Sequence, residues 1–152
     1  MSDFEAKDFE AEPPGSALEG AVDDDVRVLF VEDDEAVADM YKLKLELDGY
    51  SVTVAAEGEA AVELALQDPP DLIFLDIRLP TMDGFQVLEV LRSDERTRWV
   101  PVVILSNYGE DELVERGFRL GALEYLIKSQ TTPSRVSGGV PSWVRSAIAR
   151  KG

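Results

Sequence analysis

Polar residues able to do chemistry sit where four short apolar runs end. Val28-Leu29-Phe30-Val31 leads into Glu32-Asp33-Asp34, and Leu72-Ile73-Phe74-Leu75 into Asp76. Val102-Val103-Ile104-Leu105 leads into Ser106, and the run Leu123 to Ile127 into Lys128. If these runs are neighbouring strands, several carboxylates, a hydroxyl and an ammonium converge on one small surface. Crowded carboxylates repel and raise one another's pKa unless a cation joins them. An all-oxygen cluster with room for water and phosphate suits Mg²⁺. A carboxylate held beside that ion can attack a phosphoryl group and form an acyl phosphate. The metal and Lys128 would neutralise charge on the equatorial oxygens, and the Ser106 hydroxyl could hydrogen-bond the group after its arrival.

Composition narrows the chemistry to these groups. The 152 residues include neither His nor Cys, which excludes a thiolate or imidazole zinc site, a Cys nucleophile and a phosphohistidine relay within the chain. The formal net charge of −16 argues against gripping a nucleic-acid backbone, which needs clustered Lys and Arg. Residues 1–25 carry nine acids against the single Lys7, with Pro13-Pro14-Gly15 and no sustained apolar period. They read as an acidic disordered leader, and Asp23-Asp24-Asp25 as a solvated lead-in. No apolar run reaches the roughly 20 residues of a membrane span, and no basic-then-apolar signal opens the chain. A cytoplasmic protein without membrane insertion is expected.

The elements that must position the site alternate in kind. Glu35 to Leu47 has Ala36, Met40, Leu43 and Leu47 on one helical stripe, stopped at Asp48-Gly49. Ser51 to Ala55 alternates like a strand near a sheet edge, and Glu57 to Gln67 is a helix ended by Pro69-Pro70. Asp83-Gly84 opens a helix through Phe85, Leu88 and Leu91, and Glu110 to Leu120 forms another. Strands alternating with helices through short loops predict an α/β domain with a parallel sheet. Its carboxyl edge is where ligands collect. The end is less regular: Gly138-Gly139 and Pro141 predict an irregular segment over 129–141 before a short last helix, 142–151, with Trp143, Val144, Ala147 and Ile148 inward.

The strings Val31-Glu32-Asp33-Asp34, Leu75-Asp76-Ile77-Arg78-Leu79-Pro80-Thr81-Met82-Asp83-Gly84, Leu105-Ser106-Asn107 and Tyr125-Leu126-Ile127-Lys128 together resemble the response-regulator receiver domain of two-component signalling. The resemblance runs over about residues 26–128 in order and spacing, with a looser match to 152. It implies a flavodoxin-like (βα)5 three-layer sandwich whose five parallel strands have the order 2-1-3-4-5. It also implies roles for single residues. Asp76 resembles the phosphoacceptor and Ser106 the switch hydroxyl. Tyr125 matches the aromatic switch residue, and Lys128 the lysine that contacts the phosphoryl group. Asp33 would bind Mg²⁺ directly and Glu32 through water, with Asp76 and the Arg78 backbone carbonyl completing the metal residues. Asp34, beside Asp33, has two readings, as a ligand or as a helix N-cap.

Three departures from the family pattern stand out. Ser129 follows Lys128 where the family usually has Pro after a cis peptide. A cis bond before Ser costs about 2.5–4 kcal/mol, so this bond is expected to be trans. Asn107 is larger than the small residue usual after the switch hydroxyl. The irregular 129–141 puts the surface of strand five and the last helix in question.

The expected function is that of a phosphorylatable receiver, not an enzyme in its own right. A histidine kinase or histidine phosphotransfer protein would donate to Asp76, and a downstream protein effector would read the changed surface. The 24 residues after Lys128 are too few for a DNA-binding domain. The chain would be a stand-alone receiver or one cut from a longer protein. Two rivals differ in class. A phosphohydrolase with an Asp nucleophile would place an acid two residues later, where Arg78 stands. A degenerate receiver would act as a phosphate-independent binding module.

Overall fold

The computed structural model describes residues 26–151. The acidic leader expected over 1–25 lies outside the described residues. Five parallel strands, β1 (Arg27–Val31), β2 (Ser51–Ala55), β3 (Leu72–Leu75), β4 (Val102–Ser106) and β5 (Glu124–Ile127), form one sheet. Their order is β2-β1-β3-β4-β5, as the family resemblance implies. The connecting helices are α1 (Glu35–Leu47), α2 (Gly58–Gln67), α3 (Gly84–Ser93), α4 (Asp111–Arg119) and α5 (Pro133–Lys151).

The strands are apolar on both sides because helices cover both sides. Period-two alternation splits β1, with Leu29 and Val31 facing α2 and α3 in one core and Val28 and Phe30 facing α1 and α5 in the other. β3 and β4 divide the same way: Ile73, Leu75, Val102 and Ile104 join the first core, Leu72, Phe74, Val103 and Leu105 the second. Phe30 stacks on Tyr41 at 5.2 Å, and Phe74 meets the edge of Trp143 at 5.8 Å. These contacts fix α1 and α5 over the two central strands. β2 is an edge strand, with Ser51 and Thr53 exposed.

Two elements depart from the sequence expectation. The stripe Ala36, Met40, Leu43 and Leu47 marks α1 correctly as a helix but forms its outer face. The buried face is Ala38, Tyr41 and Leu45. The last helix is also longer than expected. Instead of an irregular 129–141, a 3₁₀ turn spans Lys128–Gln130 and α5 begins at Pro133. Pro133 stands in the first turn, where a missing N–H costs nothing. Val136, Val140 and Val144 then form a stripe buried against the sheet, which outweighs the poor helix propensity of Gly138-Gly139. Gly139 leaves room for a neighbour, because a Cβ there would lie 2.5 Å from the Trp143 indole. Of the residues expected inward, Val144 is buried whereas Ile148 is 60% exposed.

Pro141 lies inside α5 and deprives the Ser137 carbonyl of its helical donor. Pro141→Ala supplies that N–H. It should stabilise the fold by about 1–2 kcal/mol, the gain being reduced by the freer unfolded chain. Denaturant unfolding checks this; an unchanged or lowered midpoint contradicts it.

Candidate functional site

β1 and β3 lie side by side, while the chain connections leave them in opposite directions, toward β2 and β4. Such a reversal opens a crevice at the strands' carboxyl ends. Register places the acids there. Val31 pairs with Leu75, so the next residues, Glu32 and Asp76, leave the sheet as neighbours. The ladder reaches into both, since the Glu32 N–H donates to the Ala55 carbonyl (2.9 Å) and the Asp76 N–H to the Val31 carbonyl (3.1 Å).

Glu32, Asp33 and Asp76 each offer a carboxylate oxygen, all within 4.8 Å of one another. Glu32 and Asp76 are buried, whereas Asp33 is exposed and opens the cluster to solvent. Lys128 arrives from the end of β5. Its Nζ donates to Asp76 Oδ2 at 3.2 Å and makes a short bond to Glu32 Oε1. The other Glu32 oxygen accepts from the Asp34 N–H at 3.1 Å. Burial pushes the Glu32 carboxyl up from its ordinary value, opposed by Lys128 and the Asp34 N–H. Burial alone would lower the Lys128 ammonium, but Glu32 and Asp76 together hold it above its ordinary value. Lys128 therefore remains a cation facing two carboxylates. Asp34 is the N-cap of α1, its side chain accepting from the Val37 N–H at 3.1 Å. It serves the helix, the second of its two readings.

Ser106 ends β4 and is fully buried. Its oxygen accepts from the Tyr108 N–H at 3.0 Å, and its hydroxyl also hydrogen-bonds the Tyr125 phenol. The Tyr125 hydroxyl donates to the Tyr108 carbonyl at 2.5 Å. Burial raises the Tyr125 phenol above its ordinary pKa, with a hydrogen bond to Ser106 opposing. One peptide, that of Tyr108, thus ties Ser106 to Tyr125. The Tyr125 ring rests against Gly117 of α4, where a Cβ would lie 3.0 Å away. Arg78 points outward and stacks its guanidinium 4.4 Å over the Tyr108 ring. Asn107 is exposed. The peptide between Lys128 and Ser129 is trans, as none of the described bonds is cis.

The loop after β3 is held from both ends. Gly84 N–H donates to the Ile77 carbonyl at 2.7 Å, and Gly58 N–H to the Pro80 carbonyl at 3.4 Å. A Cβ on Gly58 would sit 2.0 Å from the Met82 carbonyl oxygen. Reading the sequence did not single out Gly58. The available signal was a glycine at a helix start with no turn to require it, which points to close backbone approach. Thr81, between these anchors, has φ 68°, a left-handed conformation that costs a β-branched residue energy.

The donor set fits a small hard cation: three carboxylates, no sulfur or imidazole, with access from one side. A family model described as the response regulator receiver domain matches residues 28–136. The DNA-binding dual master transcriptional regulator RpaA of Synechocystis is 44% identical over 102 residues, 67% of this chain and 42% of that protein. The matched part spans less than half the length of RpaA and of other curated relatives. A CheY-like receiver domain protein of Methanospirillum hungatei superposes with a TM-score of 0.76 at 25% identity, over 84% of this chain and 98% of that one. The receiver domain of a sensor histidine kinase of Pseudomonas aeruginosa, with a magnesium ion coordinated in its active site cleft, gives 0.72 at 28% identity, over 78% and 97%.

Proposed function

The chain belongs to the response-regulator receiver family, a family of signalling domains, and on that premise we propose that Asp76 is its phosphoacceptor. The observation that carries this is the convergence of three carboxylates within 4.8 Å at one strand-end crevice, with Lys128 bonded to the buried Asp76. Glu32, Asp33 and Asp76 would hold Mg²⁺, with the Arg78 carbonyl as a further ligand by family resemblance. When bound, the ion supplies positive charge to the phosphoryl oxygens.

The chain's own groups do the rest. A partner histidine kinase or phosphotransfer protein presents a phosphohistidine. An Asp76 carboxylate oxygen attacks phosphorus, the P–N bond breaks, its electron pair returns to the imidazole, and an acyl phosphate forms. Lys128 exchanges its carboxylate contact for the new phosphoryl oxygens. Ser106 turns its hydroxyl proton from the Tyr125 oxygen to the same group while still accepting from Tyr108 N–H. Any shift of Ser106 moves the Tyr108 peptide, and with it the Tyr125 hydroxyl that this peptide holds. The consequence reaches β5 and α4, the surface a downstream protein would read.

The direct test is the amide NMR spectrum with Mg²⁺ and beryllofluoride, a phosphoryl mimic. Shifts should appear at Asp76, Ser106 and Lys128 and extend to Tyr125 and α4. A spectrum unchanged beyond the Mg²⁺ effect would contradict the proposal. Mg²⁺ alone should raise the melting temperature of the wild type. Asp33→Asn should weaken that binding by more than about tenfold; equal Mg²⁺ stabilisation of both proteins would remove Asp33 from the site.

The Arg78–Tyr108 stack bears on the lifetime of the product. Neither side chain offers a carboxylate or amide to orient an attacking water. The acyl phosphate should last minutes or longer. Loss of label within seconds, in purified protein with Mg²⁺, would refute this.

A further inference from the structure

The outer face of α1 carries an apolar ridge that no described element covers. Met40 is 47% exposed, Leu43 63% and Leu47 72%, and Ala36 is exposed with them. Their spacings of 4, 3 and 4 put all four on one line, opposite the buried Ala38, Tyr41 and Leu45. This is the seam spacing of paired helices, with Met40 and Leu47 in one core position and Ala36 and Leu43 in the other. The residues flanking the seam are Asp39 and Glu46 on one side and Val37 and Lys44 on the other. Lys44 also forms an exposed ion pair with Asp48, at the end of its own helix, at 3.2 Å, a contact worth little in water.

These flanks select an occupant. In a parallel pair, each residue of the first flank faces a residue five positions later on the partner's second flank. Asp39 of each copy then meets Lys44 of the other, an opposite-charge contact made twice. Antiparallel pairing would set Asp39 against Glu46, which is repulsive. The ridge is therefore complementary to itself in one orientation, and we propose that this chain self-associates through parallel α1–α1 pairing. α1 begins at the Asp34 cap, beside the acid cluster, so the proposed interface adjoins the phosphorylation site without using its residues.

The pairing is weak by construction. A 13-residue helix is about 20 Å long, and two of them bury less than the roughly 1,200 Å² of a standard interface. A Kd of about 0.1–1 mM is expected. Two copies of charge −16 also repel each other, so association should strengthen as salt screens that repulsion.

Sedimentation equilibrium of the full chain, up to about 1 mM and in about 0.5 M salt, tests the proposal. The wild type should reach a monomer–dimer equilibrium. Leu43→Glu, and separately Leu47→Glu, should weaken it by at least about tenfold; both sites are exposed, and circular dichroism verifies the fold. Asp39→Lys should weaken it about threefold, and Asp39→Lys with Lys44→Asp should restore it. A monomer throughout overturns the proposal. So does a dimer indifferent to Leu43→Glu and Leu47→Glu, which would place the contact elsewhere. Charge-swapped protein that fails to recover would overturn the parallel arrangement.

Discussion

Lys128→Met should slow phosphorylation of Asp76 by about 100-fold or more and destabilise the metal-free protein by about 2 kcal/mol. The ammonium bonds Glu32 and Asp76 at once, and its side chain is only 12% exposed. Removing it costs the reaction a fixed positive charge aimed at the phosphoryl oxygens, a loss typically worth 10²–10³ in rate. It also leaves two neighbouring buried carboxylates uncompensated. Breaking a fully buried pair costs about 3–5 kcal/mol, and the smaller figure here allows for solvent entering past Asp33. Burial already raises the Glu32 carboxyl, and loss of Lys128 raises it further. An acid with a raised folded pKa destabilises increasingly as pH climbs above its unfolded value of about 4.5. The variant's deficit should therefore be largest near neutrality and shrink toward pH 4. Mg²⁺ should recover part of the stability but little of the rate. Stopped-time mass spectrometry and denaturant titrations across pH read both quantities. Wild-type rate in the variant would remove Lys128 from the chemistry.

Gly84→Ala should cost about 3 kcal/mol, more than its small size suggests. The added Cβ would lie 2.2 Å from the Asp76 carbonyl oxygen and 2.8 Å from the Ile77 Cα. Both are backbone atoms at the end of a central strand, so neither can yield cheaply. Relief requires opening the loop that α3 folds back over, which displaces Asp76 itself. Gly49→Ala is the control. It has nothing within 4 Å, and only its φ of 101° is unfavourable, so it should cost about 1 kcal/mol. Equal losses in the two variants would show that the close approach at Gly84 is not what requires a glycine.

Much of this fold is legible in the residues because each strand is a short apolar run and each helix a periodic one. The site is legible for a related reason: a parallel sheet delivers the residue after each strand to one edge. Strand order is less so, since nothing local in β1 states that β3 pairs with it; the family resemblance supplied it. α1 shows where periodicity stops short. Its sequence holds two apolar stripes, Ala36-Met40-Leu43-Leu47 and Ala38-Tyr41-Leu45, and both satisfy a helix. What decides between them is the stack of Tyr41 on Phe30, a long-range contact. α5 shows the opposite error. Gly138, Gly139 and Pro141 read locally as breakers, while Val136, Val140 and Val144 bury enough apolar surface to keep the helix going. The link through the Tyr108 peptide lay beyond reach because it depends on backbone atoms, which every residue type carries alike.

The central claim is that Asp76 accepts a phosphoryl group at the acid cluster. Intact mass after incubation with Mg²⁺ and acetyl phosphate tests it most directly, on wild type and Asp76→Asn. A single phosphoryl adduct in the wild type, lost in Asp76→Asn and lost with EDTA, is the predicted result. An adduct that persists in Asp76→Asn, or a wild type that takes up neither phosphoryl group nor beryllofluoride, would contradict it.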